Sequence, residues 1–367
     1  NSSHISTSSS FAIGPAGIHV LTHGTLTVPT SGSGTVLMGW STTDGGVGGG
    51  GGLFVTHIDN TGKFLWATEA PVSSSADFNA VAVNAASGDI YMAGYFGGTA
   101  NFKGTTLLAN GYSDILVARM KNNGQWYGPR KFGHNEYDLA NGIALDSSSN
   151  VYVTGYYKKE VSFGTVPKLT AVAGTSSGVF PSDMFLARLD STLNPTWAVS
   201  GGGNAGDGGS TVAVMDKSGD ILVGGYYAGA SIKFGTTSPS HSGDGDGFIA
   251  RYTNAGVMKW FRQVSSKNND KITSIAVGPN DAFLVAGGWF GGSLTMGTRT
   301  INPVGSSDAL LIRMDSNGST DWLTSGGGKG ADISYGVGLD GLGRVHLGGS
   351  FEGKAGFWGR TGTAAAG

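Results

Sequence analysis

The sequence predicts an all-β protein, a six-bladed β-propeller built from four-stranded antiparallel blades. Glycine accounts for 66 of the 367 residues, and glycine favours turns and bulges while it weakens helices. No long stretch shows the 3.6-residue apolar period of a helix. Strand, turn and tryptophan motifs instead recur every few tens of residues, which is typical of modular β architectures.

Five tryptophans mark the repeat, and each follows a short turn, as in "NTGKFLW" and "SNGSTDW". These tryptophans are Trp66, Trp126, Trp197, Trp260 and Trp322. Four of the turns end in glycine, which suits a hairpin with a type I turn and a bulge; the glycines are Gly62, Gly124, Gly256 and Gly318. In the third repeat, "DSTLN", we expect Asn194 to take the left-handed conformation. In the second repeat this hairpin is two residues shorter. We expect the change to leave Trp126 on the same face of its strand, because side chains alternate with a period of two.

A second hairpin precedes each of these outer hairpins. Its later strand ends in glycine and an aromatic residue, as in "DIYMAGYF" and "DILVGGYY", and a short element such as "SFG" or "KFG" follows it. Each repeat therefore holds two hairpins, or four antiparallel strands, which predicts a propeller blade.

The hairpin that precedes the outer hairpin occurs six times, but no outer hairpin follows its last copy. The stretch "FAIGPAGIHVL" near the N-terminus has the missing pattern. We therefore expect it to complete the C-terminal blade and close the ring, which removes exposed edge strands. The alternatives are a ring of seven blades with one degenerate blade, and an open fragment. The predicted single domain, 1–367, has blades at about 25–70, 76–131, 138–201, 208–264 and 271–326, a shared blade from 10–24 and 332–359, and a tail at 360–367.

These repeats resemble the SBBP beta-propeller repeat family, whose pattern runs through D-x-x-G-x-x-x-W, then D-x-x-G-x-x-Y-V-T-G-x-F, then FG. Motif order and spacing agree in five repeats, whereas the first repeat has "GGVGGGGG" in place of the FG element. The resemblance implies an extracellular or cell-surface propeller. It supplies no activity, because one fold hosts many functions.

Composition bounds the remaining possibilities. The net charge of −2 gives no basic excess for nucleic acid. The absence of cysteine excludes disulfides and thiolate sites, and no apolar run reaches the length of a membrane span. The start at Asn1 and the polar run after it indicate a processed mature protein or a segment of a longer one.

Two recurring positions are expected to build the blades. We favour the five tryptophans as core between blades, over the alternative that "TGKFLW" belongs to a pyrroloquinoline quinone propeller. Four arginines share one strand position, where the first repeat has His57; they are Arg119, Arg188, Arg251 and Arg313. We favour paired side chains that bridge blades, over a radial set that binds anions.

A first aspartate series precedes the innermost strand of each blade: Asp77, Asp138, Asp207, Asp270 and Asp332. The ends of the second strands bring aromatic residues to the same face: Trp40, Tyr95, Tyr156, Tyr226 and Trp289. Carboxylates beside aromatic rings suit carbohydrate recognition, which makes these ten residues candidate ligand-binding residues. The favoured alternative is that each aspartate caps its turn and each aromatic packs between blades.

A second aspartate series precedes the third strand: Asp114, Asp183, Asp246 and Asp308. Turn capping is again favoured over metal binding. "SGDGDGF" makes Asp244 and Asp246 candidate calcium ligands, although the terminal glutamate of a known calcium loop is missing. We expect no other cofactor.

Departures from the repeat are the other functional candidates, because the scaffold does not require them. They are 45–52, 127–138, 165–183 and 236–246. Two sequons make Asn1 and Asn317 glycosylation candidates for a secreted chain.

The sequence therefore predicts a non-enzymatic, secreted or surface-displayed binding or structural module. We expect a building block or display domain of an appendage, sheath or adhesin, with other protein subunits as partners. A lectin-like propeller that binds glycans is the alternative. A polysaccharide hydrolase or lyase is a third, which would need paired carboxylates at catalytic separation.

Overall fold

The computed structural model describes residues 11–14, 17–21, 35–42, 51–58, 63–174, 181–357 and 360–363. Within them the protein is all-β: the strands pair in antiparallel orientation except for one parallel pair described below, and the helical structure is one 3₁₀ turn, Pro279–Asp281. The chain divides into two compact units, residues 1–170 with 187–198 and residues 171–186 with 199–367. The strands β16 (Ser182–Leu189) and β17 (Pro195–Gly202) have residues in both units.

The first unit contains fifteen further strands. They are β1 (Phe11–Gly14), β2 (Gly17–Leu21), β3 (Thr35–Thr42), β4 (Gly51–Ile58), β5 (Phe64–Val72), β6 (Ala76–Val83), β7 (Ile90–Phe96), β8 (Thr99–Phe102), β9 (Thr105–Leu108), β10 (Asp114–Met120), β11 (Trp126–Phe132), β12 (Leu139–Leu145), β13 (Val151–Lys158), β14 (Glu160–Val161) and β15 (Leu169–Thr170). The second repeat forms a four-stranded antiparallel sheet in the order β11-β10-β7-β6. Both faces of β7 and β10 are covered, because nearly every residue in them is buried.

The second unit contains fifteen further strands. They are β18 (Gly208–Val214), β19 (Ile221–Tyr227), β20 (Lys233–Phe234), β21 (Asp246–Tyr252), β22 (Met258–Val264), β23 (Asp270–Val277), β24 (Phe283–Phe290), β25 (Leu294–Met296), β26 (Arg299–Ile301), β27 (Asp308–Asp315), β28 (Thr320–Gly328), β29 (Ile333–Leu339), β30 (Val345–Ser350), β31 (Lys354–Phe357) and β32 (Arg360–Thr363). The fourth repeat forms the sheet β18-β19-β21-β22, and the fifth contributes β23-β24-β27-β28. Their core joins Leu222, Ile249, Ile272, Leu310 and other apolar side chains of neighbouring sheets.

Three of the FG elements form a strand that pairs with the outer strand of the preceding repeat. Thus β8 pairs with β5, β20 with β17 at Gly201, and β31 with β28 at Gly326. The phenylalanine ring of the element lies on that glycine: a Cβ at Gly201 would be 2.2 Å from the Phe234 ring. The recurring glycine and phenylalanine therefore form one contact, because only a glycine leaves room for the ring.

The N-terminal hairpin has a partner that the sequence did not predict. β1 and β2 pair in antiparallel orientation, and β2 pairs in parallel with β3 at Val20–Leu37 and Leu21–Met38. A connection of a dozen or more residues permits such a parallel pair. In the second unit, β29 and β30 form a two-stranded sheet. A closed ring is not found among the described residues.

Two predictions about the outer hairpins are wrong. In the third turn the left-handed residue is Leu193 (φ 66°), not Asn194, because Leu193 donates the turn hydrogen bond to the Asp190 carbonyl at 2.9 Å. In the second hairpin Tyr127, not Trp126, lies opposite Arg119, whereas Trp260 lies opposite Arg251. In the outer hairpin of the second repeat the register shift comes before Arg119, whereas in the fourth repeat it comes after Arg251. Trp126 therefore falls on the other face of its strand.

Candidate functional site

The first aspartate series lies at or next to the start of a strand, β6, β12, β18, β23 or β29, and all five side chains are buried. Asp207 shows the pattern: its Oδ2 accepts the Gly203 N–H at 2.6 Å and its Oδ1 accepts the Ala228 N–H at 2.7 Å. Asp138, Asp270 and Asp332 each accept a backbone N–H four residues earlier and another 20 or 21 residues later. These four carboxylates therefore tie the loop before the first strand to the end of the second strand.

The second aspartate series is buried as well and caps the loops before the third strand. Asp183 Oδ2 accepts the Val172 N–H at 3.1 Å, and Asp308 Oδ1 accepts the Val304 N–H at 3.2 Å. Asp114 also binds the Lys131 ammonium at 3.1 Å. One oxygen each of Asp114 and Asp183 has no hydrogen-bond partner within the described part of the chain.

The two series meet in pairs beside a glycine. A Cβ on Gly202 would be 2.7 Å from both Asp183 Oδ1 and Asp207 Oδ2. Gly327 lies in the same way beside Asp308 and Asp332. Gly133 does so between Asp114 and Asp138. Two buried carboxylates thus converge on one point in each of these repeats, and only glycine fits there.

Burial controls the ionisation of these pairs. It raises the pKa of Asp138 and of Asp183 to about 7, that of Asp207 to about 8 and that of Asp270 to about 6. Backbone N–H groups lower the pKa of Asp207, and the neighbouring Asp183 raises it further. Burial is thus the main cause of the raised pKa values, and a neighbouring carboxyl adds to the rise for Asp138, Asp207 and Asp270.

The predicted aromatic residues lie at the ends of the second strands. Tyr95, Tyr156, Tyr226 and Trp289 are half-buried, and Trp40 is in β3, with its side chain outside the described residues. The Lys271 ammonium is 4.6 Å from the centre of the Tyr226 ring. Sugar binding by this set stays a prediction, with the carboxylates of Asp138, Asp207, Asp270 and Asp332 already bound to backbone amides.

The candidate calcium ligands differ in their surroundings. Asp246 is buried and accepts hydrogen bonds from the Ser242 N–H, the Gln263 amide and the Ser265 hydroxyl, whereas Asp244 is exposed. Among the residues that the structure describes, no group of three or more histidine or acidic side chains could hold a metal ion. Calcium binding at Asp244 and Asp246 stays a prediction.

Two of the four arginines link their strand to the turn of the following repeat. Arg119 binds Asp89 at 2.6 Å and donates to the Ser191 carbonyl at 2.9 Å. Arg251 likewise binds Asp220 at 2.6 Å and donates to the Ser316 carbonyl. Arg188 reaches Thr196 at 3.4 Å. Arg119, which is half-buried, and Arg251, which is buried, thus fasten the turn of the following repeat.

Two of the tryptophans donate to the turn of the following repeat. The Trp66 and Trp260 indoles donate to the Asn122 and Ser316 carbonyls at 2.9 and 3.2 Å. Trp126, on its other face, packs on Phe102 with ring centres 4.9 Å apart. His57 lies 5.3 Å from Trp66, and burial lowers its pKa. Trp197 lies 6.2 Å from Tyr152.

The fifth repeat presents its tryptophan and arginine to a cavity. Trp322 and Arg313 line a space of about 490 Å³ together with Phe283 and Leu342. Arg313 lies 4.2 Å above the Phe283 ring and 3.2 Å from Asp321. Of the two sequons, Asn317 is exposed in its turn, and Asn1 lies outside the described residues.

One group of site residues was missed at the level of single side chains, although two of its members, His134 and Tyr137, fall in the predicted stretch 127–138. Tyr112 and Tyr137 are exposed and stacked, with ring centres 4.8 Å apart. Beside them, His134 Nε2 lies 2.8 Å from Glu160 Oε1, and Lys168 also binds Glu160. Comparing Tyr112 and Tyr137 with the same positions in other repeats would have identified them, because no other repeat has an aromatic residue at either position.

Comparison with known proteins supports the resemblance found in the sequence. Residues 130–156 match the family model of the SBBP beta-propeller repeat. No curated protein matches the chain. Across the described residues, none of the helical structure is long and apolar enough to span a membrane.

Proposed function

We propose that the protein is a non-enzymatic extracellular scaffold, a building block or display domain of a surface assembly. The observation that carries this proposal is the use of its recurring polar residues. Four of the first aspartates bind backbone amides, and Arg119 and Arg251 bind turns of the following repeat. These residues stabilise a rigid framework, and the departures from the repeat are left to make contacts with other subunits.

The architecture that we propose for this scaffold is a six-bladed ring. Its support is the repeat of antiparallel sheets and the single hairpin, β29 and β30, of the last repeat. In this proposal β1 and β2 complete that last blade, which requires β2 to leave the edge of β3. Closure would pair every edge and make the scaffold rigid.

Sedimentation velocity and electron microscopy of the full chain over a range of concentrations test the functional proposal. We expect ordered species larger than a monomer, because a building block must present self-complementary or head-to-tail surfaces. A single monomeric species at every concentration would contradict assembly by this chain alone. Protease accessibility on intact source cells tests the proposed extracellular location, and complete protection would contradict it.

A further inference from the structure

Tyr112 and Tyr137 form an exposed aromatic surface on the first unit. Tyr112 is 63% exposed and Tyr137 is 46% exposed, and their rings are nearly parallel, with an interplanar angle of 10°. Tyr112 lies in the loop between β9 and β10, and Tyr137 lies in the loop between β11 and β12. Holding two large aromatic rings at the surface of neighbouring loops leaves apolar area in contact with water, which is unfavourable.

The scaffold does not require these two aromatic rings. Tyr112 lies two residues before Asp114, and Tyr137 lies directly before Asp138. None of the matching positions in the later repeats has an aromatic residue. The matching pairs are Pro181 and Gly206, Asp244 and Asn269, and Ser306 and Ala331.

The backbone contact beneath the tyrosines is nevertheless retained. Ser113 bridges Tyr137 in parallel, and Ser307 bridges Ala331 in the same way. The Asp138 N–H donates to the Ser113 carbonyl at 3.0 Å, and the Asp332 N–H donates to the Ser307 carbonyl at 2.9 Å. The loops therefore keep their geometry with serine and alanine in place of the tyrosines.

Polar residues lie close to Tyr137 in space or directly before it in the sequence. The Lys158 ammonium is 5.6 Å from the centre of the Tyr137 ring. Asn135, which is exposed, and Glu136, which is half-buried, directly precede Tyr137. Together these side chains offer an ammonium, an amide and a carboxylate, so both donors and acceptors flank a flat apolar surface.

We propose that Tyr112 and Tyr137 form a binding platform for a sugar ring of a glycan. The C–H face of a pyranose packs on an exposed tyrosine ring, and its hydroxyls take the hydrogen bonds of Asn135, Glu136 and Lys158. Two rings are too small an area for a stable protein interface, which buries more than about 1,000 Å². The net charge of −2 does not favour nucleic acid. This site does not depend on the assembly proposed above.

A glycan array with the full chain, followed by calorimetric titration of the best glycan, tests the platform. The variant Tyr112→Ser with Tyr137→Ala installs the residues of the fifth repeat, so it should fold with an unchanged circular dichroism spectrum. We expect it to bind at least about tenfold more weakly, through loss of the aromatic contact. The control Leu108→Ser removes another exposed apolar side chain of the same unit, and it should bind within about twofold of the unaltered chain.

Three results would overturn the platform. They are the absence of any bound glycan with the unaltered chain, equal binding by the folded double variant, and a protein partner whose binding alone depends on the two tyrosines.

Discussion

Asp183 and Asp207 are adjacent buried carboxylates with different hydrogen bonding. Both oxygens of Asp207 accept backbone N–H groups, at 2.6 and 2.7 Å. In Asp183 only Oδ2 has a partner, the Val172 N–H, and Oδ1 has none within the described part of the chain. A buried carboxylate oxygen without a partner is costly, so the two residues should respond differently to the loss of charge.

We predict opposite effects of asparagine at these two positions. Asp207→Asn places an amide NH₂ against a backbone N–H and should lower the free energy of unfolding by about 1–3 kcal/mol. Asp183→Asn keeps an acceptor for Val172 and removes the repulsion with Asp207, so it should raise the free energy of unfolding at pH 8. Urea unfolding of both variants measures the difference. Equal destabilisation by the two would contradict the assigned hydrogen bonding.

The raised pKa values also predict how stability depends on pH. Asp183, Asp207 and Asp270 have folded pKa values of about 7, 8 and 6, above the ordinary value of 3.8. The folded protein therefore holds protons that the unfolded chain has already lost. This stabilisation is complete below pH about 4 and is lost as the pH rises to about 8.

Urea unfolding between pH 5 and pH 9 checks this dependence. We expect the free energy of unfolding to fall as the pH rises, and to fall less steeply in Asp183→Asn. A free energy that stays constant or rises over this range would show that the carboxyls are ionised in the folded protein at the lower pH.

At the level of elements, the hairpins and their turns could be predicted from local patterns. Gly124, Gly256 and Gly318 have positive φ angles of 82°, 79° and 80°, as the turn motif predicts. The position of Leu193 could not be predicted, because burial of its side chain holds an unfavourable backbone conformation. The shift of Trp126 depends on where a bulge falls between paired strands, and a single strand sequence does not specify this.

The arginine at the third strand provides a prediction for the link between neighbouring sheets. Arg251 is 9% exposed and binds Asp220 and the Ser316 carbonyl. Arg251→Ala should lower the free energy of unfolding by about 2 kcal/mol or more, because it removes one partner of a buried ion pair.

Arg313→Ala is the matched control, because it removes the same residue type at the same position of the next repeat. Arg313 and its partner Asp321 are each about one-third exposed, so the loss should be below about 1 kcal/mol. Thermal or urea unfolding gives both values. Losses of equal size would contradict the distinction between buried and exposed arginines.

At the level of the whole molecule, the all-β class could be predicted from the sequence, whereas the fate of the first hairpin depends on competition between two strand edges. One is the edge of β3, where the structure places β2. The other is the edge of β30, where the outer hairpin of a last blade would pair. Both edges offer the same backbone groups, so the sequence pattern of the hairpin alone does not choose between them.

The candidate site shows the same limit. The aspartate positions could be found from the repeat, whereas their backbone partners could not, because a backbone N–H does not depend on residue type. The donors four residues before the aspartate are His134, Gly203, Ser266 and Gly328. The tyrosine pair could not be predicted either, because it forms where two loops meet, and Tyr112 and Tyr137 are 25 residues apart in the sequence.

Disulfide trapping tests the closed six-bladed ring most directly, because the chain has no cysteine of its own. Ala12→Cys with His346→Cys probes the β1–β30 pair of the proposed ring. The two thiols take the cross-strand positions that Arg313 and Val285 occupy in the fifth repeat. Leu21→Cys with Met38→Cys probes the β2–β3 pair. Cross-strand neighbours lie within disulfide distance. We predict that the first pair oxidises within one chain and the second stays reduced; the opposite outcome would contradict the closed ring.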